Sequence, residues 1–344
     1  MTSPVVGIDE EPVGAWLEAN IEGATGPFSY QLITGGHSNI TIKVTDANGV
    51  ERVLRRPPLG EVLATAHDMG REHRIITGVG KSSVPVPDAL GMCTDESVNG
   101  APFYIMNYVD GLVADNPRAV ETGIPDHAAR AAASEDVVNV IARLHMVNPD
   151  DVGLGELGRK EAYLDRQLRR WSGQWEKTKT REMADMDWVF SKLTERKPEQ
   201  RYTGIVHGDY RLGNMLVNPN DGTVAAVLDW ELCTLGDVLA DIGYLLNNWV
   251  QPGEESVVGA TNAPTAAGGF STREQLVDRY CELTGFEIDD INYYRAFQNW
   301  RLAAIVEGVL ARYLKGVMAD EDADTSVFRK QVDGLCAQAV ELLS

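Results

Sequence analysis

The sequence predicts an α+β protein in two lobes: a small β-rich N-terminal lobe of residues 1–107 and a larger, mostly helical C-terminal lobe of residues 108–344. Three observations predict it. Short β-like runs separated by turn residues crowd the first hundred positions, apolar residues at helical spacing fill most of the rest, and one compact cluster of Asp, Asn and Gly interrupts the helical part. A chain of 344 residues is long enough for one large two-lobed unit.

Residues 1–30 read as a leading helix and loop, with Trp16, Leu17 and Ile21 as its apolar stripe. β-like runs at 31–33 and 40–44 flank Gly35-Gly36. Asp46-Ala47-Asn48-Gly49 is a hairpin turn signal, because Asn-Gly accepts the left-handed conformation such turns need. Residues 52–55 form a third strand, stopped by Pro57-Pro58. A charged helix is expected over 61–77, then strands at 89–93 and 103–108. Beyond Gly111, Val137, Val138, Ile141, Leu144 and His145 recur at helical spacing. A second helix over 161–178 carries Leu164, Leu168, Trp171 and Trp175 along one side. β-like runs follow at 204–206, 215–217 and 224–228. The Gly-, Ala-, Ser- and Thr-rich stretch 251–271 has no periodicity and reads as a mobile loop of the kind that serves as a lid. Helices resume from 272, with Tyr294, Phe297, Leu302, Ile305 and Val309 as the expected core stripe. A β-rich lobe followed by a helical lobe predicts a ligand cleft between them.

Charge narrows the function. Lys and Arg total 31 against 51 Asp and Glu, a formal net charge of −20. So acidic a chain repels a phosphate backbone and an anionic membrane surface, so neither nucleic acid nor membrane is an expected partner. Twelve Asp or Glu and only two Arg fall within 229–290, while 159–181 is rich in Arg and Lys. Cys93, Cys233, Cys281 and Cys336 form no CxxC pair and are expected to be reduced thiols. The first residues show no basic region leading into an apolar run, and no apolar stretch approaches the roughly 20 residues of a membrane span, so a cytoplasmic protein is expected. The sequence carries no signal for an oligomeric state.

The chemistry concentrates in His207-Gly208-Asp209-Tyr210-Arg211-Leu212-Gly213-Asn214-Met215-Leu216-Val217, followed by Val227-Leu228-Asp229-Trp230-Glu231. Asn214 lies five residues after Asp209, and Asp229 fifteen after Asn214. Gly208 and Gly213 let the chain turn sharply around the polar groups. A loop carrying Asp and Asn, closed by a hairpin that ends in a second Asp, gathers three oxygen-bearing side chains. Hard oxygens suit Mg²⁺, and a carboxylate not used by the metal can take a proton from a hydroxyl. Phosphoryl transfer requires this combination.

The two segments resemble the catalytic and metal loops of the aminoglycoside phosphotransferase family, within the protein-kinase-like fold, and the resemblance extends over roughly the whole chain. It implies Asp209 as catalytic base, Asn214 and Asp229 as Mg²⁺ ligands, and ATP as phosphoryl donor. His207 would hold the loop by hydrogen bonding. Arg211 would meet phosphate or substrate, or remain a solvated or structural arginine. In Thr34-Gly35-Gly36-His37-Ser38-Asn39, an ordinary turn when taken alone, Gly35, Gly36, Ser38 and Asn39 would bring the chain onto the phosphates. The fold usually places a Lys on the third strand; this chain has none, and Arg55 takes that position, with Arg56 pointing to the opposite face and Lys43 as a second candidate. Glu72 would be the helix partner of Arg55. In Phe103-Tyr104-Ile105-Met106-Asn107-Tyr108-Val109 the adenine edge would meet backbone groups of Asn107 and Val109, with Met106 behind it.

Gly236-Asp237 and Asp241 follow Asp229 almost directly, leaving no room for the long activation segment of protein kinases. The expected acceptor is therefore a small-molecule hydroxyl, with Asp237 and Asp241 capping a helix and tying down the loop. The stretches 53–60 and 163–171 are similar to the branch whose kinase domains are fused to acyl-CoA dehydrogenases, which brings a hydroxyacyl-CoA into view beside an aminoglycoside as acceptor. Trp249, Trp300 and Arg301 are candidate pocket residues. The competing reading is a nucleotide-binding regulatory pseudokinase without turnover, motivated by the missing Lys.

Overall fold

In the computed structural model, residues 5–33, 39–59, 68–251, 253–254, 263–316 and 324–344 are described below. The chain forms two compact units. The first comprises Met1–Asp110 and Ala225–Glu231; the second comprises Gly111–Val224 and Leu232–Ser344.

The first unit contains α1 (Glu10–Asn20), β1 (Ser29–Leu32), β2 (Ile40–Thr45), β3 (Glu51–Arg56), α2 (Met69–Val79), β4 (Ala89–Cys93), the single turn α3 (Glu96–Asn99) and β5 (Phe103–Asn107). The strands make one antiparallel sheet in the order β1-β2-β3-β5-β4. The β2–β3 turn forms as its residues demand: Asp46 Oδ1 accepts from the N–H groups of Asn48 and Val50, and Gly49 takes φ +79°. Register pairs Ile42 with Leu54 and Leu54 with Ile105. Strand alternation then puts all three on one face, where they bury together with Val13, Leu17 and Ile21. Trp16 meets Phe103 edge-on, with centroids 5.1 Å apart, at the margin of this core. Arg55 and Tyr104, paired across β3 and β5, occupy the opposite face. Arg56 points away from them and donates to the carbonyls of Gly7 and Asn99, both at 2.9 Å.

The expected helix over 61–77 is found as α2, starting at Met69 because Asp68 caps it by accepting from the Arg71 N–H at 2.9 Å. Positions 60–67 lie outside the described residues. The buried face of α2 runs through Met69, Glu72, Ile75, Ile76 and Val79, so helical spacing carries a carboxylate into an apolar row.

The second unit contains α4 (Pro117–Gly123), α5 (His127–Met146), α6 (Tyr163–Thr178), α7 (Ala184–Glu195), β6 (Thr203–Val206) and β7 (Met215–Val217). After β8 (Val224–Val227) come β9 (Thr234–Asp237), α8 (Leu239–Asn247), α9 (Arg273–Thr284), α10 (Ile291–Leu314) and α11 (Thr325–Leu343). Strand β9 was not expected from the sequence; it pairs antiparallel with β6, Gly204 opposite Gly236. Glycine is required at 236, where a Cβ would lie 2.1 Å from the Tyr163 ring. Helix α10 packs against α6, α7, α8 and α11 and is buried nearly all round. The expected single stripe on it is therefore corrected. Tyr294 and Phe297 are buried, but Leu302, Ile305 and Val309 are half-buried, and Ala303, Ala304, Val306 and Leu310 supply the core. No described helix is long and apolar enough to cross a membrane, and all four cysteines are free.

The stretch 251–271 also differs from expectation in its described part. Thr265 is buried and donates to the Val250 carbonyl at 2.8 Å. Arg130 on α5 donates to the carbonyls of Ala267 and Gly268 at 2.9 and 3.1 Å, and Trp249 Nε1 reaches the Ser271 carbonyl at 2.8 Å. Hydrogen bonds to backbone, invisible to periodicity, dock 263–271. Positions 252 and 255–262 of that stretch lie outside the described residues.

Leu54 is fully buried at the centre of the first unit's core. Leu54→Ala is expected to lower unfolding free energy by roughly 2–5 kcal/mol, read from urea denaturation followed by far-UV circular dichroism.

Candidate active site

Strand β6 runs directly into His207-Gly208-Asp209, and a buried carboxylate receives the chain there. Asp241 on α8 accepts from the N–H groups of His207 and Gly208 at 2.6 and 2.9 Å. Behind it, His145 Nε2 lies 3.4 Å from Asp241 Oδ2, and the Tyr280 hydroxyl is 2.8 Å from His145 Nδ1. Gly208 takes φ +87°, and a Cβ there would stand 2.9 Å from the Leu232 carbonyl oxygen, so only glycine makes this turn without strain. Arg301 on α10 donates to the Gly208 carbonyl at 3.2 Å. The Asp209 N–H donates to His207 Nδ1 at 3.2 Å, and the Tyr210 hydroxyl to the Val137 carbonyl at 2.7 Å. The loop is thus held along its whole length.

These contacts present Asp209 asymmetrically. Its Oδ2 accepts from Asn214 Nδ2 at 2.7 Å. Its Oδ1 is buried with no well-formed hydrogen bond; Arg211 Nε stands 3.5 Å away. Asn214 also donates to the Asp209 carbonyl at 2.8 Å. With the amide nitrogen facing Asp209, the amide oxygen of Asn214 is the atom left for a cation. Hard oxygen donors of this kind fit Mg²⁺. Among the described residues no cluster of three or more His, Cys, Asp or Glu could hold a metal ion unaided, so an ion here would draw the rest of its shell from water and phosphate.

The first unit builds a second charged cluster. Arg55 Nη2 lies 2.9 Å from Asp229 Oδ1, and Arg55 Nε lies 3.3 Å from Glu72 Oε2. Burial alone would lower the Arg55 guanidinium, but the carboxylates of Glu72 and Asp229 outweigh it and hold its pKa above the ordinary value. Burial raises the Glu72 carboxyl, and Arg55 offsets part of that rise. The Tyr104 hydroxyl, pushed well up by burial and then by Glu72, faces the same carboxylate. Asp229 adopts φ +64°, a left-handed conformation that Asp tolerates better than most residues. Its Oδ1 is taken by Arg55, which leaves the other carboxylate oxygen to face a cation. Lys43 is engaged elsewhere, 2.8 Å from Glu51 and over the Tyr108 ring at 5.3 Å.

Residues 29–276 match the model of the phosphotransferase enzyme family. The chain belongs to this family. It is 34% identical over 305 residues to acyl-CoA dehydrogenase family member 10 of Mus musculus, matching 88% of this chain but only 28% of that protein. The chain therefore spans about a quarter of this curated relative's length. A crystal structure assigned as an aminoglycoside phosphotransferase from Ralstonia eutropha shares 33% identity over 98% of both chains, with a TM-score of 0.83. Spectinomycin phosphotransferase, solved with ADP and spectinomycin, matches 99% of both chains at 11% identity and a TM-score of 0.63, a likeness of fold. The fold is protein-kinase-like, with a small antiparallel sheet in the first unit and a mostly helical second unit.

Within this phosphotransferase the remaining expected residues fall as follows. Gly35, Gly36 and Ser38 lie outside the described residues. Asn39 is buried, and its side-chain amide points to Glu231 Oε2 at 3.4 Å. Met106 is buried on the sheet face that carries Arg55. The Asn107 N–H donates to the Asp88 carbonyl at 3.0 Å and its side chain accepts from the Asp88 N–H at 2.6 Å, so that N–H is already occupied. Val109 is half-buried. Asp237 accepts from the Tyr294 hydroxyl at 2.8 Å and from the Leu239 N–H at 3.2 Å. Trp249 and Trp300, considered as pocket residues, are instead core. Each is 1% exposed, packed respectively on Phe270 and Phe190. In the basic stretch, Lys160, Lys179 and Arg181 pair with carboxylates, whereas Arg169 and Arg170 are exposed. Trp171, expected along one side of its helix, is half-buried, with the guanidiniums of Arg170 and Arg301 at 5.0 and 5.8 Å from its ring centroid.

Arg55→Met would leave Glu72 a buried charge without its partner and is expected to cost roughly 3–5 kcal/mol in urea unfolding. The Arg55→Met/Glu72→Met pair is expected to recover most of it. Burial pushes the Asp237 carboxyl up to about 6 from 3.8. The folded chain therefore holds this proton more tightly than the unfolded chain. The stability it contributes is complete below about pH 4 and is lost as the pH rises through about 6, some 3 kcal/mol at most. Asp237→Asn is expected to flatten that fall, measured by denaturation at pH 4, 5, 6 and 7.

Proposed function

We propose that the chain transfers the γ-phosphoryl group of ATP to a hydroxyl of a small molecule, with Asp209 as base. The observation that carries this reading is the state of the Asp209 carboxylate: one oxygen fixed by Asn214, the other buried and without a well-formed hydrogen bond, on a loop pinned by Asp241. An acceptor hydroxyl within hydrogen-bond reach of that second oxygen would be oriented for in-line attack and would give up its proton to it. Asn214 and Asp229 are assigned to Mg²⁺, which would neutralise charge on the phosphates. Arg55 is assigned to the phosphates as well, since its guanidinium is always protonated and forks onto oxygen anions. Glu72 orients Arg55, Arg211 is assigned to the transferring phosphate or the acceptor, and the backbone around Gly35, Gly36, Ser38 and Asn39 to the donor phosphates. Backbone groups near Asn107 and Val109, with Met106, are assigned to the adenine.

The acceptor divides by charge. The net charge of −20 suits a polycationic aminoglycoside, whereas Arg169, Arg170 and the half-buried Trp171 suit an anionic, planar-headed molecule such as a hydroxyacyl-CoA. A screen of ATP consumption with hydroxyacyl-CoAs, aminoglycosides and choline side by side separates the two. The pseudokinase reading draws on Arg55 in place of Lys; Mg²⁺-dependent ATP binding with no transfer to any acceptor would favour it.

Asp209→Ala is expected to reduce phosphoryl transfer by roughly 10²- to 10⁴-fold, with ATP binding by calorimetry unchanged. Turnover at the wild-type rate would sink the assignment.

A further inference from the structure

Gly208 is a soft joint in the reactive loop, because it has no side chain and takes φ +87°. The contacts of Asp241 stop at this joint: its carboxylate holds the N–H groups of His207 and Gly208. The next peptide unit, made of the Gly208 carbonyl and the Asp209 N–H, leads into the base itself. Turning that plane would swing the Asp209 side chain even with Asp241 in place. Two groups hold it. His207 Nδ1 accepts from the Asp209 N–H at 3.2 Å, and Arg301 Nη2 donates to the Gly208 carbonyl at 3.2 Å.

Arg301 is itself fixed. It lies on α10 and is 8% exposed. Its Nη1 donates to Gln298 Oε1 at 2.8 Å, one turn back on the same helix. Gln298, also buried, donates from Nε2 to the Ala240 carbonyl at 2.7 Å. Ala240 precedes Asp241 on α8, so a closed circuit of hydrogen bonds runs from α8 through Gln298 and Arg301 to Gly208 and back to Asp241. The guanidinium also stands over the Trp171 ring of α6, 5.8 Å from its centroid. Its hydrogen bonds among the described residues go to an amide oxygen and a carbonyl, not to a carboxylate, and the planar fork sets both in one geometry.

We propose that Arg301 is a positioning residue for the base: by fixing the plane of the Gly208–Asp209 peptide, it holds the Asp209 carboxylate where an acceptor hydroxyl meets it. This rests on the reading of Asp209 as base. Arg301 exchanges no proton in the reaction; the acceptor's proton goes to Asp209. Asp241, Tyr210 and Asn214 hold the rest of the loop, so loss of Arg301 shifts one peptide plane and not the fold. Gln298 acts on the base only through Arg301.

Wild type, Arg301→Met, Gln298→Met, the double variant and Asp209→Ala are compared with the acceptor that wild type turns over fastest in the screen above. Read on the same samples are kcat, KM for ATP, KM for the acceptor and the stoichiometry of ATP binding by calorimetry. Arg301→Met is expected to lower kcat by roughly 10- to 100-fold, with both KM values within about 2-fold and the ATP stoichiometry of wild type. Gln298→Met is expected to lower kcat by a smaller factor, and the double variant to match Arg301→Met within about 2-fold. Arg301→Lys keeps the charge but has one nitrogen and cannot fork, so a kcat at least about 5-fold below wild type is expected of it. A kcat within about 2-fold of wild type in Arg301→Met overturns the proposal, and where that variant does not fold the same result in Arg301→Lys does so. A fall in ATP stoichiometry that matches the fall in kcat overturns it too, because it marks lost folded protein. So do a rise in acceptor KM at constant kcat, which marks a direct substrate contact, and losses that simply add in the double variant, which mark independent roles. Retained turnover in Asp209→Ala, or no wild-type turnover at all, overturns instead the function on which the proposal rests.

Discussion

Two backbone N–H groups, those of His207 and Gly208, donate into the fully buried carboxylate of Asp241, and the geometry of the reactive loop descends from that contact. Hydrogen bonds to a charged group are worth about 1.5–3 kcal/mol each as a rule, more than neutral ones. They also fix direction. The left-handed turn at Gly208 is possible only because the chain there is held and because nothing projects from its Cα toward Leu232. With the turn fixed, Asp209 faces Asn214, and the short helical turn through Leu212 and Asn214 closes the loop.

The first unit solves a different problem. It must keep a guanidinium on a sheet whose other face is an apolar core. Strand alternation does this without added structure: Leu54 goes into the core and Arg55 to the opposite face, one residue apart. A buried guanidinium needs partners, and Glu72 and Asp229 supply them with separate nitrogens. A lysine has one nitrogen and could not bridge both carboxylates in the same way, which gives the replacement of Lys by Arg in this chain a local physical setting.

Turn chemistry and alternation made the first unit legible from sequence. Asp46 to Gly49, the strand at 89–93 and the opposite facing of Arg55 and Arg56 all lie where their residues place them. The pairing of Arg55 with Glu72 was readable only through the family resemblance, since helical spacing alone gives α2 several inward positions besides Glu72. The larger unit was harder to read. Thr234-Leu235-Gly236-Asp237 shows no alternation, and it forms a strand because β6 lies beside it. Helix α10 shows no single stripe because neighbours cover it on nearly every side. Trp171 could not be sorted from Trp175 by spacing, as both fall on one side of α6, and only the guanidinium beside it on α10 shows the difference.

Asp229 belongs to a piece of chain, Ala225–Glu231, that lies in sequence inside the larger unit but packs as part of the smaller one. The backbone therefore passes from one unit to the other three times, and neither unit is a continuous stretch of polypeptide. A fragment ending near Asp110 would lack the segment bearing the carboxylate that Arg55 binds. The two units therefore cannot be exchanged as separate cassettes by recombination at a single junction.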